Sequence, residues 1–311
     1  VKTHSLVGRD LVSLLDFTTD ELKRILEVGF EVKANPDHFA KALRNRTLFM
    51  YFEKPSLRTR VTFEAGMTQL GGHAIYYTAA DGKIGVRESV EDVARNLERW
   101  VDAAMCRTFS HKLVQDLAEF SQIPIINGLT DHLHPCQALA DYMTLQAVKG
   151  DLSGKRLVYV GDGNNVAHSL MAGGARLGVS VTVVTPAGFE PDADFTRLCQ
   201  EAARETGASI DVTDTMDAVA GADAVYTDVW ASMGQEEEAA ERRRTFEPYQ
   251  INEAVMDRAG EDAIFMHCLP AHRGEEVTDG VADSPRSVIF VEAENRLHAQ
   301  KAVLLVVMGG I

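Results

Sequence analysis

The segment Glu53-Lys54-Pro55-Ser56-Leu57-Arg58-Thr59-Arg60 carries the densest chemistry in the chain. It follows an apolar run and opens a helical pattern. A helix N-terminus offers unpaired N–H groups and a partial positive charge. The hydroxyls of Ser56 and Thr59 and the cations Lys54, Arg58 and Arg60 add to it, which suits a phosphate dianion. The chain has 31 Lys+Arg against 46 Asp+Glu, a formal net charge of −15, so such local positive charge stands out. The plainer alternative is an N-capped helix with solvated arginines.

Five further segments could carry chemistry. In His134-Pro135-Cys136-Gln137, the Pro suits a helix start. His134 and Gln137 then lie one turn apart, and both can bond a carbonyl or amide; a merely capping His134 is the alternative. Gly161-Asp162-Gly163-Asn164-Asn165 ends a predicted strand. A dinucleotide fingerprint wants a third Gly, and Val166 stands there. The turn still places Asn165 where open α/β sheets bind ligands. Asp228, at another strand end before the Gly-containing Ser232-Met233-Gly234 loop, suits a cationic amine. In the following EEEAAERRR stretch, Glu238 and Arg242 at i,i+4 read as a solvated helix face. His267-Cys268-Leu269-Pro270 again follows a strand. Cys268 reads either as a nucleophile or as a binding and orienting group. Glu292 to His298 reads as an acid-rich strand end running into a helix start.

These segments need elements to hold them. Apolar runs at 47–52, 73–78, 103–109 and 123–127 predict buried strands, separated by amphipathic helices. A second set at 156–161, 179–185, 209–213, 223–229, 263–269 and 287–293 predicts six more, with mostly helical stretches between. Alternation of this kind predicts parallel sheets covered by helices, an α/β class. The stretch 136–149 predicts one helix joining the sets, and about 296–308 a C-terminal helix that packs back on the first domain. The expected division is 1–133, with 296–311 joining it, and 134–295.

Length and composition narrow the function classes. The 311 residues suggest about two domains. The acidity disfavours nucleic-acid and anionic-membrane binding. The apolar run 302–308 is far shorter than the ~20 residues of a membrane span, and 1–10 lack the apolar core of a signal peptide. Cys106, Cys136, Cys199 and Cys268 form no CxxC, which fits reduced thiols in a cytoplasmic protein. Neither a metal site nor a cofactor is expected.

Taken together, Ser56-Leu57-Arg58-Thr59-Arg60, His134-Pro-Cys-Gln137, GDGNN, DVWASMGQE and HCLPAHRGEEVTD resemble the aspartate/ornithine carbamoyltransferase family, on its ornithine side. The similarity runs from LLDFTTDEL to AENRLHAQKA. It implies a carbamoyl phosphate-binding domain and an ornithine-binding domain, with the active site in the cleft between them. The subunits would form trimers or multiples of trimers. By this resemblance Ser56, Leu57 through its backbone, Arg58 and Thr59 hold the phosphate. Arg107, His134 and Gln137 hold the carbamoyl group, and Arg296 completes that pocket. Asn165, Asp228, Ser232 and Met233 bind the α-amino and α-carboxylate groups of ornithine, and Cys268 and Leu269 position its δ-amine. Arg58, Arg107, His134 and Cys268 are the expected catalytic residues.

Two positions depart from the pattern. Leu57 replaces a Thr, which removes a hydroxyl and keeps an N–H. Lys83 stands where many ornithine enzymes have Gln or His, at a position that reaches into a neighbouring subunit's carbamoyl phosphate site. The implied reaction is attack of the δ-amine on the carbamoyl carbon, giving citrulline and phosphate in arginine metabolism. An aspartate acceptor would need cations facing a second carboxylate, and putrescine would need no α-carboxylate partners; acetylornithine shares most of the expected scaffold. A degenerate dehydrogenase and a catalytically silent ligand-binding protein are the rivals from other classes.

Overall fold

The computed structural model describes residues 5–231 and 236–311. Its regular elements, in order, are α1 (Thr19–Ala34), β1 (Thr47–Phe52), α2 (Leu57–Gln69), β2 (His73–Thr78), α3 (Val90–Trp100), β3 (Ala103–Arg107), α4 (His111–Phe120), β4 (Ile125–Leu129) and α5 (Pro135–Lys149). There follow β5 (Arg156–Val160), α6 (Asn165–Leu177), β6 (Ser180–Val184), α7 (Ala193–Ala203), β7 (Ile210–Thr213), β8 (Ala224–Thr227), α8 (Ala239–Phe246), α9 (Glu253–Ala259), β9 (Ile264–His267), α10 (Asp279–Ala282) and α11 (Ile289–Met308). The chain divides into two compact units. One runs to Met143 and takes back Asn295–Ile311; the other is Thr144–Glu294.

In the first unit the sheet order is β2-β1-β3-β4, all parallel. Tyr51, Ala104, Cys106 and Ile125 pack with Ala94 of α3 and with Val114 and Leu117 of α4. The chain leaves β1 for β2 on one side and returns to β3 on the other. A crevice therefore opens beyond the carboxyl ends of β1 and β3, the usual ligand position in such sheets. The register pairs Phe52 with Arg107 there.

The second unit repeats the logic with five parallel strands, β7-β6-β5-β8-β9. Val158, Val160, Val225 and Phe265 pack on Val255, Met256 and Ala259 of α9. Here the reversal falls between β5 and β8, so the turn after Val160 and the residues after Thr227 share one crevice. The register Thr227–His267 brings in Cys268 from the end of β9.

The predicted strand at 287–293 is not a strand. Ser287 makes one isolated bridge to Phe265, and α11 begins at Ile289, seven residues before the predicted helix start. Ile289 and Glu292 are buried, whereas Phe290 and Val291 are exposed. A strand would put 289 and 291 on one face; a three-residue spacing is a helix face. The Glu292 carboxylate accepts from the Tyr226 hydroxyl at 3.2 Å and the His267 N–H at 3.0 Å, which anchors that face. Among the described residues no helix is long and apolar enough to cross a membrane.

Candidate active site

Ser56 caps α2: its Oγ accepts from the Thr59 N–H at 3.2 Å. The Leu57 side chain is 77% exposed, so this departure from Thr leaves the helix-end N–H groups intact. The three cations of the segment separate. Lys54 is buried, ion-paired with Asp131 and 4.3 Å from the centre of the Phe109 ring. Arg60 pairs with Glu64 at 3.1 Å and stacks on Tyr76. Only Arg58 joins the group around His134. The expectation of three cations at one anion site is thus reduced to one from this segment. The side chain of Lys54 instead ties the loop after β1 to the loop after β4.

His134 caps α5 with its carbonyl, which accepts from the Gln137 and Ala138 N–H groups. Its ring is 6% exposed. Burial holds its pKa well below the usual histidine value, and Arg296, Arg107 and Arg58 lower it further. The imidazole is therefore neutral at pH 7 beside three guanidinium groups. Arg296 is buried and donates to Gln137 Oε1 and, at 3.1 Å, to Thr59 Oγ1. Gln300, with its amide oxygen toward Arg296, accepts from that guanidinium at 3.0 Å. Arg107 closes β3, and its carbonyl accepts from the Glu53 N–H at 2.8 Å. The Glu53 carboxylate takes the Phe109 N–H at 2.9 Å, and Lys83 Nζ lies 4.0 Å from it on a side chain that is 59% exposed. Three guanidinium groups around a neutral imidazole offer N–H donors and positive charge, a combination suited to an anionic ligand.

In the second unit, Asp228 follows β8 and is nearly buried. Its Oδ1 accepts from the Cys268 thiol at 3.1 Å and from the Val229 N–H at 2.8 Å; its Oδ2 accepts from Asn164 Nδ2 at 2.9 Å. Asn164 also caps α6, its Oδ1 accepting from Val166 and Ala167 N–H. Asn165 is the first residue of that helix. Leu269 takes a left-handed backbone, φ 59°. His267 Nδ1 accepts from its N–H at 2.8 Å, and Nε2 bonds buried Glu276 at 3.1 Å. Ser232 and Met233 lie outside the described residues.

The other glycine of the dinucleotide-like turn has a packing role. A Cβ on Gly163 would lie 2.3 Å from Pro191 N and 2.6 Å from Phe189 O, so backbone from 189–191 occupies the space beside it. Gly163 also donates to Phe189 O at 2.8 Å. Close approach of protein backbone, rather than of a pyrophosphate, explains this glycine.

Arg242 was expected on a solvated face and is buried. It donates to Asp162 at 2.9 Å, to the Trp230 carbonyl at 3.0 Å and to Glu238 at 3.0 Å, and stacks on Phe189. The i,i+4 spacing identified the Glu238 pair; it carried no information about the two partners far off in sequence. Asn164 was likewise passed over for Asn165, although an Asn ahead of an apolar helix pattern is the cap signal.

Among the described residues, two groups could supply metal ligands by proximity, Asp228-His267-Cys268 and His272-Glu275-Glu276. In the first, both ring nitrogens of His267 are engaged with Leu269 and Glu276, so its lone pair is turned away from Asp228. In the second, Glu276 Oε1 is held by His267 and the His272 N–H, and Glu275 by Arg243.

Residues 9–147 match the profile of the aspartate/ornithine carbamoyltransferase carbamoyl-P binding domain, and residues 153–307 that of the Asp/Orn binding domain. The chain belongs to the aspartate/ornithine carbamoyltransferase family. It is 54% identical, over 99% of its length and 98% of the relative's, to the anabolic ornithine carbamoyltransferase of Pyrococcus furiosus. The solved ornithine carbamoyltransferase structure from that organism superposes with a TM-score of 0.96, covering 99% of this chain and 100% of that one. The enzyme of the same name from Gloeobacter violaceus gives 0.88 at 44% identity, covering 97% and 99%.

Within this family frame, Cys268 separates from the other thiols. Burial pushes Cys106, Cys136 and Cys199 up to about 12, out of reach of nucleophilic chemistry near neutral pH. Cys268 is half-buried and spends its proton on Asp228. A Ser hydroxyl can make the same bond. Cys268→Ser is therefore expected to keep turnover within about 10–100-fold of wild type, the value of one or two hydrogen bonds, with a raised KM for the amine substrate. Complete loss of turnover in a folded variant would restore the nucleophile reading.

Proposed function

We propose that the chain transfers the carbamoyl group of carbamoyl phosphate to the δ-amine of L-ornithine, giving L-citrulline and phosphate in arginine biosynthesis. The observation that carries this reading is the full-length match at 54% identity to enzymes named ornithine carbamoyltransferase. The first unit is the carbamoyl phosphate side: Ser56, the Leu57 N–H, Arg58 and Thr59 take the phosphate, and Arg107, His134, Gln137 and Arg296 the carbamoyl group. The second is the ornithine side, with Asn165, Asp228, Ser232, Met233, Cys268 and Leu269.

Three tasks define the chemistry. The dianionic leaving group needs its charge offset, for which the α2 N-terminus and Arg58 are suited. The carbonyl oxygen gains negative charge as the amine nitrogen bonds to carbon, and Arg107, Thr59 and neutral His134 are donors for it. The C–O bond to phosphate then breaks, and the released phosphate can accept the amine's proton. No covalent enzyme intermediate is needed. Asp228 and Cys268 orient the amine.

The amine must be neutral to attack. At a pKa near 10.4, about 0.04% is neutral at pH 7, and each pH unit multiplies that roughly tenfold. His134 is already deprotonated well below 6.5 and adds no inflection there. The expected profile of kcat/KM for ornithine is a rise of about tenfold per pH unit between 6 and 8. A plateau beginning near 6.5 would assign a required base to a histidine.

Citrulline formation from carbamoyl phosphate with L-ornithine, beside N-acetyl-L-ornithine, putrescine and L-aspartate, tests the reading. Selective turnover with ornithine supports it; selective turnover with another acceptor keeps the first unit's role and overturns the second's. For the assembly we infer a homotrimer or a multiple of it, in the cytoplasm. Leu57 and Val61 of α2 and Ile75 of β2 leave apolar surface that a subunit contact would cover. The exposed Lys83 is free of any deep burial that would keep it from a neighbour's site. Light scattering should give three times 34.1 kDa or a multiple of that.

A further inference from the structure

Gln137 and Asp141 stand one turn apart on α5, and both are fully buried. Gln137 Nε2 donates to Asp141 Oδ1 at 2.7 Å, and its Oε1 accepts from Arg296 Nη1. A carboxylate only accepts and a guanidinium only donates. Turning the amide over would set NH₂ against guanidinium and oxygen against carboxylate. The orientation of Gln137 is thus enforced from both ends, and its carbonyl oxygen is the atom turned toward Arg296, whose other Nη bonds Thr59.

We propose that Asp141 is a positioning residue for donor selection: by holding Gln137 with its oxygen toward the Arg296–Thr59 group, it makes the site prefer a carbamoyl over an acetyl group. The proposal rests on the reading of the first unit as the carbamoyl phosphate side. Carbamoyl and acetyl phosphate share the phosphate and the carbonyl, so the α2 terminus and the arginines serve both. They differ where one has NH₂ and the other CH₃, two groups of similar size. Only an acceptor separates them, and a carbonyl oxygen can take two donors, here Arg296 and the carbamoyl NH₂. An acetyl group leaves that acceptor with one donor fewer in a dry site, which is where hydrogen-bond discrimination is largest. With the amide reversed, a donor would face the ligand's donor, and the preference would vanish.

The experiment compares Kd values for carbamoyl phosphate, acetyl phosphate and inorganic phosphate on the full-length chain by calorimetry, for wild type, Asp141→Ala and Asp141→Asn. Asp141→Ala is expected to reduce the carbamoyl-over-acetyl preference about tenfold, the worth of one hydrogen bond, while inorganic phosphate binds within about twofold of wild type. Asp141→Asn restores most of the preference, because its Oδ1 can still accept from Gln137. Asp141→Leu fills the site with an apolar group of similar size and replaces the Ala variant if that one does not fold. An unchanged preference in the Ala or Leu variant overturns the proposal. So does a parallel weakening of all three ligands, which would mean a purely structural role. Failure of the underlying reading shows separately, as wild type that binds no carbamoyl phosphate and forms no citrulline.

Discussion

Arg107→Gln is expected to lower kcat about 10²–10³-fold, the usual cost of removing one donor from a developing oxyanion, and to lessen the loss of stability in acid. The two effects have one origin. Arg107, Arg58 and Arg296 all act on the buried ring of His134, and each disfavours its protonation. Deleting one removes that effect together with the donor that the proposed chemistry uses. The sign of the pH effect follows. His134 has a folded pKa below its unfolded one, so its contribution is fully present above about 6.5. It is lost as pH falls toward the folded value, because the unfolded chain binds the proton first. Arg107→Gln moves the folded pKa back up and should flatten that acid loss. Urea midpoints at pH 7.5 and 5.5, beside initial rates of citrulline formation, check both halves. A variant with near-normal kcat, or one that loses as much stability as wild type between pH 7.5 and 5.5, would contradict the account.

The second large effect is expected at Asp228. Its two oxygens accept from the Cys268 thiol, the Val229 N–H and Asn164, which together set the geometry at the ends of β5, β8 and β9. Asn in its place presents an NH₂ to one set of those donors and carries no charge for an amine. Hydrogen bonds to a charged group are worth about 1.5–3 kcal/mol each, so losing one or two of them should lower kcat/KM for ornithine by about 10²–10³. Carbamoyl phosphate affinity should stay within about twofold, since Asp228 has no part in the first unit's anion cluster. Equal losses for both substrates would show that the substitution damages the protein generally.

What could be read from the chain alone were the features decided by neighbours in sequence. The bounds of the strands at 47–52 and 73–78 were legible to the residue, because each is a short apolar run with polar or turn-forming ends; the expected burial fails at 73–78, where β2 is the sheet edge, with no residue of it buried. Ser56 and His134 were legible as helix-start residues, because capping is a contact within one turn. The ordered blocks from Ser56 to Arg296 identified the family for the same reason: each is a short contiguous run of sequence.

Tertiary structure decided what depends on partners far off in sequence. The run at 287–293 has strand composition, yet Tyr226 and His267 bond Glu292 and bury it with Ile289, which only a helix can do. Local spacing gave Arg242 one carboxylate partner, whereas packing adds Asp162 and Trp230 and takes it out of water. Of three cations in one segment, Lys54 and Arg60 went to Asp131 and Glu64, and only Arg58 was left to join Arg107 and Arg296 at His134. The orientation of Gln137 needs Arg296, 159 residues away. Propensity and spacing act over a turn or a strand, while burial and hydrogen-bond pairing act wherever the folded chain brings groups into contact.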